Sequence, residues 1–379
     1  MTSPIVIAGY QRSPFTLAHK GALARVRPDD LAARVIASLI EKAGIDPGDI
    51  EDLILGCAFP EAEQGFNLAR LVVLLADLPQ SIAGVTVNRF CGSSMQSVHI
   101  AAGQIALGAG EAFICAGVES MSRVPMSGFN PLPNPALNEK VPGAYMSMGD
   151  TAENIARRWQ ISREEQERFA VASQQRAAEA RAAGKFSDEI VPIRANGAEI
   201  SEDGCIRAET TGEILAGLKP AFSTDGTVTA GTSSPLTDGA SALLVCSLAY
   251  AERNRLEPLA LVRSTAVAGC DPEIMGIGPV NATKKALSRA GIGIDEIGVV
   301  ELNEAFASQS IACMRDLGIN QDIVNIDGGA IALGHPLGAT GARIVGKAAS
   351  LLKREGGRYA LATQCIGGGQ GIATILERV

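Results

Sequence analysis

Aromatic side chains are scarce: they form 4% of the 379 residues, with a single Trp. Extended stacking platforms for bases or sugars are therefore not available to this chain. Positive charge is also short, with 33 Lys and Arg against 41 Asp and Glu and a net charge of -8. That balance lacks the basic footprint of a nucleic-acid binder, although a local basic patch for a phosphorylated ligand stays compatible with it. No apolar run approaches the ~18 residues that a membrane span needs. The most apolar stretch, residues 71–76, is closed off by Arg70 and Asp77. Residues 1–10 read as a short strand and not as a secretory signal. The expectation is a soluble, cytoplasmic protein with no membrane partner.

Histidine is rarer still, at three residues, and the eight cysteines (Cys57, Cys91, Cys115, Cys205, Cys246, Cys270, Cys313 and Cys365) contain no C-x-x-C pair. The spacing of a zinc site is missing, so no metal is expected. Free thiols in a reducing compartment are the expected state. A small buried hydrophobe is the ordinary role for any one of them.

Glycine is abundant, with 42 residues, and 46% of the chain is hydrophobic. The length allows two or three packed units. Strand-like and helix-like segments alternate, which indicates an α/β fold. Residues 5–8, 53–55, 113–118, 297–302, 360–364 and 372–376 read as strands. Residues 28–41 read as an amphipathic helix with Leu31, Val35, Leu39 and Ile40 on one face, and 95–107 as a second helix.

The chain also repeats itself. Ala43-Gly44-Ile45 is followed by Asp49-Ile50 and Leu53; Ala290-Gly291-Ile292 is followed at the same spacing by Glu296-Ile297 and Val300. Further on, Cys91 and His335 occupy corresponding places, each ahead of a helix and then a strand. Two similar α/β halves packed together are expected, residues 1–250 and 251–379. Residues 121–149 are rich in Met, Pro, Gly and Asn and read as a long loop, a covering with a functional purpose. Helices are expected at 151–159 and from Ser162 to about Ala183. Ser162 and Glu165 form a capping box for the second, and Gly184 stops it. The segment 118–223 is expected to be an inserted lid.

Four segments carry chemistry. In Val87-Asn88-Arg89-Phe90-Cys91-Gly92-Ser93-Ser94-Met95 a strand meets a helix through small residues. Cys91 then sits near a helix N-terminus, where unpaired N–H groups favour a thiolate. The same residues also suit a buried thiol. In Gly328-Gly329-Ala330-Ile331-Ala332-Leu333-Gly334-His335-Pro336 a lone His lies among glycines, fit to take a thiol proton or to serve as a structural residue. His19 reads as a loop residue, and His99 lies on the helix after Cys91. In Thr363-Gln364-Cys365-Ile366-Gly367-Gly368-Gly369-Gln370-Gly371 the Gly-x-Gly is a poor dinucleotide fingerprint, because a strand and no helix follows. Backbone N–H groups there suit an oxyanion hole, and Cys365 is either an acid/base or a buried thiol. In Glu301-Leu302-Asn303-Glu304-Ala305-Phe306-Ala307 polar residues end an apolar strand, facing a crevice or capping a helix at Asn303.

Together these segments resemble the thiolase family, and the match spans nearly the whole chain. Leu218-Lys219-Pro220-Ala221-Phe222, Thr227-Val228-Thr229-Ala230-Gly231 and Ser233-Ser234 resemble the family's segments bordering coenzyme A. The resemblance implies two similar α/β halves with an inserted loop domain. It implies Cys91 as the acylated nucleophile, His335 as its activator and Cys365 as the acid/base at the α-carbon. Asn303 would hold a water completing one oxyanion hole, and the N–H groups of Cys91 and Gly367 would form another. Met148, Phe222, Ala230, Ser234, Ala305 and Phe306 would line the pantetheine channel. Coenzyme A would be a co-substrate, with no resident cofactor. The assembly implied is a homodimer or homotetramer, or a complex with a hydratase/dehydrogenase subunit. The acetoacetyl-specific branch commonly carries His directly before the Met-Gly of the lid, where this chain has Ser147. That departure favours the degradative branch acting on 3-ketoacyl-CoA over an acetoacetyl-CoA-forming enzyme. A non-catalytic acyl-CoA binder would be expected to have lost Cys91, His335 or Cys365, and a decarboxylating ketosynthase to carry His in place of Cys365.

Overall fold

Two runs of alternating strand and helix build the protein, seen in a computed structural model that describes residues 4–379. The first part of the 1–10 strand reading falls on residues 1–3, outside the described residues. The first run comprises β1 (Ile5–Arg12), β2 (Thr16–Leu17), α1 (Pro28–Ala43), β3 (Ile50–Gly56), α2 (Leu68–Leu75), β4 (Ala83–Val87), α3 (Ser93–Ala106) and β5 (Ala112–Ser120). A long segment follows, with α4 (Pro135–Lys140), α5 (Met148–Arg158), α6 (Arg163–Ala182), β6 (Ile193–Ala195), β7 (Ala198–Ile200) and α7 (Gly212–Ala216). The run closes with β8 (Thr237–Ser247) and α8 (Leu248–Arg253). The second run comprises β9 (Ala260–Gly269), α9 (Gly278–Ala290), β10 (Ile297–Leu302), α10 (Ala307–Leu317), α11 (Ala330–Leu333), α12 (Leu337–Glu355), β11 (Tyr359–Ile366) and β12 (Gln370–Glu377).

Ten strands form one hydrogen-bonded sheet, β10-β11-β12-β9-β1-β8-β5-β3-β4 with β2 attached to β8, and β6 and β7 pair separately. In the first half β1, β8 and β5 pair antiparallel, and β5, β3 and β4 pair parallel. The second half repeats this: β9, β12 and β11 are antiparallel, and β11 and β10 are parallel. A parallel bridge from Val324 to Val300 stands where β4 stands in the first half. A short antiparallel contact, Val6 with Leu261 and Ile7 with Ala260, joins the halves. The repeated Ala-Gly-Ile has a plain cause. Both α1 and α9 end at a left-handed glycine, Gly44 (φ 67°) and Gly291 (φ 71°), the conformation that closes a helix cheaply only in glycine.

Burial sorts the elements into layers. Helices α1 and α2 cover one outer face, and α9 and α10 cover the other. Helices α3 and α12 lie between, packed on each other and on strands from both halves. A helix covered on every side needs small residues, and α12 supplies Gly338, Ala339, Gly341, Ala342, Gly346, Ala348 and Ala349. A Cβ on Gly117 would sit 2.1 Å from the Gly338 carbonyl oxygen, and one on Gly341 2.2 Å from the Met95 nitrogen. These glycines let α12 touch β5 and α3 backbone to backbone.

The segment between β5 and β8 departs from the sequence reading in two places. Residues 121–149, read as loop, contain α4 and a single turn at Pro142–Tyr145. The local signal was present: Asn134 caps Leu137 N–H, and Pro135 opens the helix. Helix α6 does start at Ser162, whose Oγ accepts Glu165 N–H at 3.2 Å. The reciprocal half of the capping box is missing, because the Glu165 carboxylate pairs with Arg315 instead. The segment is bound to β1 through wholly buried Arg12, which bonds Glu189 at 2.8 Å and Asp203 at 2.6 and 2.8 Å.

Candidate active site

Cys91 stands on an elbow between β4 and α3. Phe90, just before it, has φ 43°, a left-handed conformation that a phenylalanine holds only when its surroundings insist. Ser93 supplies much of that constraint. Its hydroxyl donates to Phe90 O at 2.6 Å and accepts Arg89 N–H at 2.9 Å. The Asn88 side chain accepts Phe90 N–H at 2.8 Å. Cys91 then stands one residue ahead of the Gly92 helix cap. The Gly367 N–H group favours its thiolate form, and Gln364 Nε2 donates to the Cys91 carbonyl.

His335 holds the matching place in the second half, two residues before α12 as Cys91 is two before α3. Gly334, at φ 101°, ends α11 and throws the chain into this turn. One tautomer of the His335 ring satisfies both contacts of the Thr340 hydroxyl. Thr340 Oγ1 donates to Pro336 O at 2.9 Å, so toward His335 Nδ1, 2.6 Å away, it accepts. Nδ1 therefore carries the proton, and Nε2 offers its lone pair. Asn303 Nδ2 approaches that lone pair at 3.3 Å, and His335 N–H is bound by Thr237 Oγ1 at 3.1 Å.

Asn303 is wholly buried just past β10, with its N–H on Thr363 O at 3.0 Å. The alternative of a helix cap fails, because α10 begins at Ala307 with Phe306 in the cap position. Glu304 does not face the crevice as its position in the sequence suggested. It turns to the glycine-rich segment and accepts from Ser173 Oγ at 2.7 Å, Asn325 Nδ2 at 2.8 Å and Ile331 N–H at 3.1 Å.

Cys365, near the end of β11, packs with Met148, Ala152, Val228, Met275, Ala305 and Phe306. Phe222 meets Phe306 edge-on with ring centres 5.9 Å apart. Ser234 joins the group by donating its N–H to Ala305 O at 3.0 Å. Ala230 is exposed at the start of a single turn, two residues past Val228. Three of the six channel candidates, Met148, Ala305 and Phe306, thus cluster with Cys365; Phe222 adjoins them through the Phe306 ring, Ser234 through the backbone, and Ala230 lies at the periphery.

Profiles of the thiolase N-terminal domain and the thiolase C-terminal domain match residues 5–249 and 256–378. The chain belongs to the thiolase family. The 3-ketoacyl-CoA thiolases of Bacillus subtilis and Pseudoalteromonas translucida are 49% and 48% identical to it, each alignment covering 100% of both chains. Human mitochondrial 3-ketoacyl-CoA thiolase, solved in complex with CoA, superposes with a TM-score of 0.92 at 37% identity over 100% of this chain and 98% of that one. An acetyl-CoA acetyltransferase of Bacillus anthracis gives 0.91 at 38% identity, over 100% and 99%.

In this thiolase-family site burial governs protonation. It pushes the Cys91 thiol up to about 12, against the Gly367 and Cys91 N–H groups, with the Glu119 carboxylate adding to the rise. It draws His335 down to about 3, reinforced by the positive charge of Arg343. Burial also raises Cys365 well above an ordinary thiol, and the charge of Cys91 adds to that. Thiol and imidazole are each neutral when alone.

Sequence reasoning missed three residues. Gln364 and Thr340 hold the Cys91 carbonyl and the His335 imidazole, and Glu119 binds the turns around them. The signal for Gln364 and Glu119 was available, since each is a polar residue in an otherwise apolar strand. Ser147, singled out in the sequence for its place before Met148-Gly149, caps α5: its hydroxyl accepts Asp150 N–H at 3.2 Å and donates to the Asp150 carboxylate at 2.8 Å. Among the described residues no cluster of side chains could hold a metal ion.

Proposed function

We propose that the chain cleaves 3-ketoacyl-CoA with a second CoA, giving acetyl-CoA and a shortened acyl-CoA through a thioester on Cys91. The observation that carries this reading is the matching placement of Cys91 and His335, each two residues before a central helix, with His335 Nε2 beside Asn303. In the first half-reaction Nε2 takes the Cys91 proton, and sulfur attacks the 3-keto carbon. The N–H groups of Cys91 and Gly367 receive the negative oxygen. The bond between carbons 2 and 3 then breaks. Cys365 gives its proton to the resulting enolate, whose oxygen is held by His335 and an Asn303-bound water. In the second half-reaction the Cys365 thiolate takes the proton of incoming CoA. The CoA sulfur attacks the thioester, and Cys91 leaves and recovers its proton from His335. CoA is consumed as a substrate, and no resident cofactor is called on.

Met148, Phe222, Ala305 and Phe306, with Ser234 and Ala230 beside them, form the pantetheine channel in this reading. Residues 118–223 act as the lid on halves spanning 1–250 and 251–379. Ser147 and the name shared by the bacterial relatives support the degradative direction, in fatty-acid β-oxidation. Similarity to the acetyl-CoA acetyltransferase supports a second reading, synthesis of acetoacetyl-CoA. The half-exposed edge strand β4 and exposed Leu71, Leu74 and Leu75 beside it support self-association as a homodimer or homotetramer, alone or with a hydratase/dehydrogenase subunit. Among the described residues no helix is long and apolar enough to cross a membrane, and the reading is of a soluble cytoplasmic enzyme.

Turnover of 3-ketoacyl-CoAs of several chain lengths with CoA tests the main reading. Activity on chains longer than four carbons is expected; strict preference for the four-carbon substrate selects the second reading, and no turnover at any length defeats both. Cys365→Ala is expected to acylate from a simple acyl-CoA and fail to cleave a 3-ketoacyl-CoA. Equal loss in both half-reactions removes the role given to Cys365.

A further inference from the structure

Beside Cys91 one buried carboxylate gathers donors from both halves. Glu119, the penultimate residue of β5, is 1% exposed. One oxygen accepts Ala58 N–H at 2.8 Å and Gly338 N–H at 2.9 Å. The other accepts Gln64 Nε2–H at 2.8 Å and Phe59 N–H at 3.2 Å, with the Cys57 thiol donating from 3.7 Å. Every partner is a donor, so a protonated carboxyl would set its own O–H against one of them. The arrangement suits the ionised form. Burial raises the Glu119 pKa, and its N–H partners oppose that rise.

The donors belong to the two catalytic turns. Gly338 lies in the first turn of α12, three residues past His335. Ala58 leads to the nucleophile: its carbonyl accepts Asn88 Nδ2–H at 3.0 Å, and Asn88 in turn holds Phe90 N–H at 2.8 Å. Ala58, Phe59 and Leu337 also pack around Cys91. A negative charge at this point works against a thiolate on Cys91, so activation of the sulfur is not what the carboxylate does. Four strong N–H hydrogen bonds to one small group fix positions.

We infer that Glu119 is a positioning residue, a clasp that sets the Cys91 elbow against the His335 turn by binding both from one carboxylate. The inference rests on Cys91 and His335 being the reacting pair.

The test is single-turnover acylation from an acyl-CoA, followed as a mass increase on Cys91, which separates the rate constant from the amplitude. Glu119→Gln keeps the volume but points an NH2 at N–H donors. Its folded fraction is expected to acylate about 100-fold more slowly, the scale of a misplacement near 1 Å, with KM for the acyl-CoA unchanged. Glu119→Asp, with charge but shorter reach, should recover part of the rate. A Glu119→Gln protein that acylates at the wild-type rate with only reduced amplitude makes the residue merely structural and overturns the inference. Should that variant not fold, Gln64→Leu, which removes one donor and leaves the carboxylate, decides the matter: a slowed rate supports the clasp and an unchanged rate overturns it. No mass increase on Cys91 in the wild-type protein would sink the functional reading itself, and the clasp with it.

Discussion

Replacing Thr340 by Val keeps the shape of the side chain and removes the acceptor that fixes His335. The ring is 4% exposed, so water is a poor substitute for the hydroxyl 2.6 Å from Nδ1. A buried N–H left without a partner costs about 1–3 kcal/mol. The imidazole can escape that cost by moving its proton to Nε2. Nε2–H would then face the Asn303 NH2 group, donor against donor, and could no longer accept the thiol proton. Whichever outcome dominates, the acylation barrier rises by about that amount, a slowing of roughly 5- to 150-fold. Stopped-flow or quenched-flow measurement of acyl transfer to the enzyme reads this directly. KM should change little, because Thr340 lies behind the imidazole and not along the channel. Thr340→Ser restores a hydroxyl and should restore most of the rate. A Thr340→Val enzyme acylating at the wild-type rate, or a Ser variant as slow as the Val variant, would refute the tautomer argument.

Two further outcomes concern stability. The folded-state pKa of His335 is lowered to about 3 from 6.5, so the unfolded chain binds this proton first as pH falls. Its contribution is fully present above about pH 6.5 and is lost at about 1.4 kcal/mol per pH unit down to about pH 3. Urea midpoints across that window should fall more steeply for the wild type than for His335→Asn, and parallel curves would contradict the assignment. Arg12→Met should cost about 3–5 kcal/mol, because it leaves buried Asp203 without its cation and strips one of two from Glu189. Adding Asp203→Leu should recover part of that loss, and simple additivity of the two losses would count against the pairing.

Much of this could be read from residue order. Period-3.6 apolar spacing located α1 to within two residues of its end, and Gly44 and Gly291 exposed the duplicated halves because the left-handed cap leaves so narrow a choice of residue. The thiol and imidazole were legible as rare groups set among glycines. The partners of those groups were not. Thr340 acts across a helical turn, whereas Glu119 and Gln364 act across 219 and 273 positions, and nothing local marks such a bond. Glu304 misled for the same reason: a strand end can turn to the crevice or to the neighbouring segment, and only packing decides which. The α4 helix was missed because six residues are too few for periodicity, although its cap was visible.

The duplicated layout has a mechanical consequence. Sulfur and imidazole ride on different halves, at the ends of two helices that meet in close contact at Gly341 and Met95. Their separation therefore follows how the halves are seated, as the gap of a caliper follows its jaws. A methyl group wedged at Gly117 or Gly341, far smaller than any ligand, would force apart the backbones that carry the two turns.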